Sequence, residues 1–146
     1  MKRILFALAL SLAAAGCGDG TLPADQPRLT FSAELEQGQA PPQPQVTVSP
    51  IDGGFRVDGV LATPDVCRNV TGEFLRHAPA DLPILTLTVC VTPAGTGCHT
   101  AVGRFAYEAR VERVPSGRYP VQVYHQLVGT GTPDPALVFE GEIQIP

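Results

Sequence analysis

From Gln45 to Ile145 the chain is a succession of short stretches in which apolar and polar residues alternate. Pro, Gly, Asp or Asn breaks the pattern roughly every 8 to 15 residues, the spacing of short strands joined by turns. The stretches are QVTVSPI (45–51), GFRVDGVLA (54–62), RNVTGEFLRH (68–77), ILTLTVCVT (84–92), RFAYEARVER (104–113), YPVQVYHQLV (119–128) and ALVFEGEIQI (136–145). Successive side chains of a strand point to opposite faces, so each stretch predicts one apolar face. Phe105, Tyr107, Ala109 and Val111 share a face in the fifth stretch, with Arg104, Glu108, Arg110 and Glu112 opposite. The fourth points Leu85, Leu87, Val89 and Val91 inward and Thr86, Thr88 and Cys90 outward. Tyr119, Val121, Val123 and Leu127 align in the sixth, Leu137, Phe139, Ile143 and Ile145 in the seventh, and Phe55, Val57 and Leu61 in the second. Seven strands with one apolar face each predict an all-β fold of two packed antiparallel sheets.

Ahead of this region, residues 17–44 are rich in Gly, Pro, Gln and Asp, and APPQPQ (40–45) favours extended polyproline conformations. The segment is expected to be a tether, and residues 45–146 the folded domain. One piece of the tether is ambiguous. Leu29, Phe31, Ala33 and Leu35 alternate with polar residues, as in a strand, while SAELEQG (32–38) also reads as a short helix ending at Gly38. A strand or loop at the domain edge is the preferred reading.

Residues 1–16 have a different character. Met1-Lys2-Arg3 is positive, and Ile4 to Ala15 is apolar except for Ser11. A bilayer span needs about 20 apolar residues, so this stretch is too short to cross; the pattern is that of a secretory signal. Ala14-Ala15-Gly16 leads into Cys17 and resembles the lipobox of bacterial lipoproteins, with Ala14 where that family prefers Leu. The resemblance implies cleavage before Cys17, lipid on its sulfur and amine, and anchorage to a membrane of the bacterial cell envelope. Gly18-Asp19 differs from the inner-membrane retention signal, so the outer membrane is preferred. An ordinary signal peptide cut near Ala15 is the alternative. After cleavage no lysine is left, and eight arginines stand against fourteen acids, a formal charge of −6. No basic cluster is present to hold a nucleic-acid backbone, so no nucleic-acid partner is expected.

The stretch VPSGRYPVQVYH (114–125) resembles the turn between the fifth and sixth strands of fibronectin type III and other immunoglobulin-like domains. The resemblance implies a seven-stranded immunoglobulin-like sandwich. It also implies a tyrosine corner, shaped by Pro115 and Gly117 and closed by a hydrogen bond from Tyr119 to the backbone. Transthyretin-like and collagen-adhesin repeats share the pattern. The core tryptophan of antibody domains has no counterpart, because the chain contains no Trp.

With Cys17 lipidated, three cysteines remain and one bridge is possible. Cys67 and Cys98 both end turns before strands, so a Cys67–Cys98 disulfide is preferred, leaving Cys90 as an inert thiol. Cys90–Cys98 is the alternative if the fourth and fifth stretches form a hairpin.

Candidate chemistry is sparse. Cys98 and His99 are adjacent and point apart in an extended chain, and no pair has the CxxC or HxxxH spacing of a zinc site. His77 and His125 read as strand-end histidines. Ser32, Ser49 and Ser116 lie outside any GxSxG pattern. Glu108/Glu112 and Glu140/Glu142 lie beside arginines on outward faces, and Asp52-Gly53-Gly54 reads as a hairpin turn rather than a phosphate loop. No catalytic residue, metal or cofactor is expected. The expectation is a non-enzymatic envelope module that binds a protein or glycan through the loops near Cys67, Thr96 to His99 and Gly129 to Pro135, or through Tyr124. A periplasmic protease inhibitor or chaperone-like sandwich is the first alternative, and a metal-handling or redox protein the second.

Overall fold

A computed structural model of the chain describes residues 26–39, 41–77, 83–95, 101–129 and 135–146. Eight strands follow one another: β1 (Arg28–Glu36), β2 (Gln45–Ile51), β3 (Gly54–Thr63), β4 (Arg68–His77), β5 (Ile84–Pro93), β6 (Gly103–Glu112), β7 (Gly117–Leu127) and β8 (Ala136–Ile145). They form two four-stranded sheets. Sheet A has the order β1-β6-β3-β2 and sheet B the order β4-β5-β7-β8. The edges meet in pairs across the sandwich, β1 against β4 and β2 against β8.

The seven stretches of alternation are β2 to β8. The count of seven is corrected to eight, because residues 28–36, expected within the tether, form β1. β1 pairs with β6 along its whole length, from Arg28↔Glu112 to Glu36↔Arg104. Its alternation carries Leu29, Phe31 and Ala33 onto the core, and that burial selects a strand over the competing helix. A second correction concerns strand direction. β5 and β7 run parallel, with Leu85↔Val121 and Leu87↔Val123 in register, so sheet B is mixed. Parallel neighbours need a long crossover, and here β6 supplies it by passing through the other sheet.

The core lies between the sheets. Phe55, Val57, Ala109 and Val111 of sheet A and Leu85, Leu87, Val89, Val91, Val121, Val123 and Ile145 of sheet B are fully buried. Burying one such aliphatic or aromatic side chain contributes about 1.5–3 kcal/mol, so the two inner faces are the main driving force. Two glycines let aromatic rings reach the mid-plane. A Cβ on Gly59 would fall 2.2 Å from the Tyr107 ring, and one on Gly72 would fall 2.4 Å from the Phe31 ring. Phe31 of β1 thereby rests on β4, and its ring stacks on Tyr107 with centroids 5.9 Å apart.

On β8 the inward set differs from the expected one. The pairing shifts from Val123↔Phe139 to Tyr124↔Leu137, a bulge that leaves Val138 extra. A bulge resets which side of the sheet each residue faces. Phe139, Ile143 and Ile145 point inward, but Leu137 shares the outer side with Tyr124 and is 46% exposed.

Candidate functional site

The chain crosses from sheet A to sheet B through the turn between β3 and β4, and this turn is closely braced. Thr63 Oγ1 donates to the Asp65 carbonyl oxygen at 2.5 Å. The Asp65 carboxylate accepts the Cys67 backbone N–H at 3.0 Å, and Arg68 grips it with Nε at 3.0 and 3.1 Å and Nη2 at 2.5 Å. The Arg68 hydrogen bonds hold the Asp65 carboxyl below its usual range, against a smaller opposing effect of burial. Ala94 N–H donates to the Cys67 carbonyl at 3.0 Å and ties the turn to the end of β5.

Beside this turn, where β1 faces β4, lies a pocket of about 390 Å³. Ala33 and Phe105 form its sheet A side, and Arg68, Asn69, Val70, Thr71 and Thr92 its sheet B side. The Arg68 side chain is only 10% exposed. Its Nε and Nη2 are taken by Asp65, but its Nη1 is buried with no hydrogen-bond partner. Leaving a buried donor unpaired costs about 1–3 kcal/mol, so the atom marks a place where an acceptor would be favoured.

A second polar cluster bridges the sheets. Tyr107 Oη of β6 lies 2.8 Å from His125 Nε2 of β7, with the rings edge to face and centroids 5.5 Å apart. Burial lowers the His125 pKa to about 4 and pushes the Tyr107 phenol upward, so both are neutral at pH 7. In the Nδ1–H tautomer the phenol donates to Nε2, and the pair satisfies itself inside an apolar layer. At the far end of the sandwich, Tyr119 Oη donates to the Pro115 carbonyl oxygen at 2.9 Å, where the chain passes from β6 to β7. A Cβ on Gly117 would sit 3.3 Å from the Tyr119 ring.

The expected site residues are dispersed. Cys17 and Cys98 lie outside the described residues, as do Thr96 to His99 and most of the Gly129–Pro135 loop. Cys67 sits in the braced turn beside the pocket. Tyr124 is half-buried on the outer side of sheet B, its hydroxyl donating to Gln122 Oε1 at 3.1 Å. His77 is exposed at the end of β4. Among the described residues, no group of three or more His, Cys, Asp or Glu is placed to hold a metal ion.

The cysteine and membrane expectations are corrected. No disulfide joins two of the described residues, and the preferred Cys67–Cys98 bridge has one end outside them. Cys67 precedes the Arg68↔Pro93 pair and Cys90 pairs with Thr71, so the two lie at well-separated places along the β4–β5 ladder. Cys90 is not a leftover thiol on an open face: it is fully buried, and neither it nor Cys67 is free. The Cys90–Cys98 hairpin has no basis either, since β5 and β6 belong to different sheets. Among the described residues, no helix is long and apolar enough to cross a membrane. The membrane association expected from the sequence therefore has no helical span in that part of the chain.

Two buried polar groups escaped the sequence reading. His125, expected at a strand end, is 4% exposed and faces the core. The signal was present, because 125 continues the inward series 119, 121, 123. Arg68 had no such signal, since its pocket exists only once β1 has docked against β4. Comparison of the chain with protein-family models, curated proteins and solved structures found no match to any of them.

Proposed function

We propose that this chain is a non-enzymatic binding module of the bacterial cell envelope and that it takes its ligand in the pocket between β1 and β4. The pocket carries this reading: it is a concave site of the size small ligands use, with an apolar floor, a polar rim and a buried arginine lacking one partner. The location rests on residues 1–17, whose resemblance to lipoprotein signals supports a lipid anchor at Cys17. The body is an immunoglobulin-like variant in this proposal, supported by the Tyr119–Pro115 corner and the β6-to-β7 passage between sheets.

The test is a pull-down from envelope extracts with the full chain, run beside an Ala33→Leu variant whose larger side chain fills the pocket. Enrichment of an envelope component by the native chain and its loss with the variant is the expected result. Equal capture by both, or by neither, overturns the assignment of binding to this pocket.

A further inference from the structure

We infer that the end of the sandwich from which β1 starts is a docking surface for an anionic phospholipid bilayer, its arginines meeting headgroup phosphates. This rests on the lipid anchor proposed above and adds an orientation to it. The strand register defines two poles. At one, Arg28 opens β1 in line with Glu112 and Gly54, and the β2–β3 turn, the start of β7 and the last residues of β4 and β8 lie at the same end. Val114 N–H donates to the Gly53 carbonyl at 3.0 Å and ties the β6–β7 passage to the β2–β3 turn there. The β3–β4 turn and the β1–β4 pocket belong to the opposite half.

Charge is divided between the poles. No stretch of the sequence clusters the arginines, but strand pairing brings Arg28, Arg56, Arg76, Arg110, Arg113 and Arg118 into the half that holds the start of β1. Asp52, Glu112, Glu140 and Glu142 accompany them. The other half holds Arg68 and Arg104 with Glu34, Glu36, Asp58, Asp65, Glu73 and Glu108. Among the described residues the first half is therefore positive and the second negative, on a chain that is acidic overall. A ten-residue strand is about 33 Å long, whereas the Debye length at physiological salt is about 8 Å. A bilayer thus senses the pole turned toward it and not the net charge, and arginines near an anionic leaflet are drawn to it. The anchor selects the same pole. Eleven peptide steps lead from Cys17 to Arg28, a reach of at most about 40 Å. Inverting the body would draw that segment almost to its covalent limit and press the acidic pole on the phosphates.

The experiment places the full chain, recovered from bacterial membranes with lipid on Cys17, in vesicles of phosphatidylcholine with or without phosphatidylglycerol. A fluorophore sits on Ser116→Cys at the near pole or on Gln37→Cys at the far one, both exposed positions. Lipid carrying a nitroxide on its headgroup quenches whichever label lies at the bilayer. The expected result is strong quenching at Ser116 and weak quenching at Gln37 in anionic vesicles. The difference should shrink without phosphatidylglycerol and in about 1 M salt, where the Debye length is about 3 Å. Arg56 and Arg110 also reach back to Asp58 and Glu108, so the exposed Arg28 and Arg118 are the positions to change. Arg28→Glu combined with Arg118→Glu should lose the gain due to anionic lipid, and Glu34→Gln at the far pole should keep it. If the double variant does not fold, the salt series on the native arginines reads the same attraction. Equal quenching of the two labels, stronger quenching at Gln37, or a Ser116 preference indifferent to lipid charge and salt overturns the inference. A chain recovered without lipid on Cys17 sinks the anchor and this inference with it; a lipidated chain with no preferred pole sinks the inference alone.

Discussion

The two sheets have similar inner faces and contrasting outer ones. Sheet A turns a charged lattice to solvent. Arg56 reaches Asp58 at 2.6 Å and Glu108 at 3.5 Å, and Arg110 reaches Glu108 at 3.3 Å. Arg104 lies 3.0 Å from Glu36 as an ion pair without hydrogen-bond geometry. Among the described residues, sheet B shows no comparable lattice, its outer face carrying the Arg118–Glu142 pair. Its middle strand β5 places Thr86, Thr88 and Cys90 on the outer side, and of these Thr86 is 7% exposed and Cys90 fully buried. Cys90 Sγ contacts Gln126 Oε1 at 3.8 Å, and Gln122 Nε2 donates to Glu140 at 3.0 Å. The difference is instructive. A charged residue in an alternating strand marks a solvent face, because burying it unpaired is too costly. Threonine and cysteine carry no such penalty, so the outer side of β5 is free to be covered. A strand with a parallel neighbour, flanked on both edges, is the kind that becomes buried on both faces.

A lysine placed on each outer face tests this contrast most severely. Thr86→Lys should lower stability by about 3–5 kcal/mol or prevent folding, as an unpaired charge in a covered site. Thr30→Lys, on the exposed side of β1, should stay within about 0.5 kcal/mol of the native chain. Denaturation midpoints that move equally would remove the distinction between the faces.

The link between the sheets gives the next largest effect. The His125 pKa is lowered to about 4 in the folded chain, from 6.5. Between these values the unfolded chain binds the extra proton, so stability attributable to this residue is complete above pH 6.5. It falls as the pH drops toward 4, by about 3 kcal/mol in total. His125→Gln should flatten that slope in a series of denaturation curves from pH 7 to 4, and an unchanged slope would place the acid sensitivity elsewhere. Tyr119→Phe should cost about 1 kcal/mol, the worth of one hydrogen bond at the β6–β7 passage; a midpoint identical to the native one would empty the corner of energetic meaning. Smallest of all, Arg118→Ala removes a pair with Glu142 whose side chains are 70% and 58% exposed. It should shift stability by less than about 0.5 kcal/mol, and less still in high salt.

Much of the architecture was legible because alternation is a local property. The inward series of β3, β5, β6 and most of β7 read directly from residue type, and the turn Asp52-Gly53 joins β2 to β3 as its composition indicates. Leu137 misled because a bulge of one residue reverses facing and leaves no mark in the hydrophobic pattern. His125 was hidden by its polarity: residue type suggested solvent, while its position in the alternation pointed to the core.

What the sequence determined by itself is the set of strands and, for most of them, which side is greasy, since a two-residue period and the cost of burying charge act within a few neighbouring residues. Which strands became neighbours was decided only by the tertiary structure. The docking of β1 on β6, the parallel pairing of β5 with β7, the covered outer side of β5 and the pocket behind Arg68 all depend on segments far apart in the chain. Their energies are shared between partners, so neither partner's residues carry the information alone.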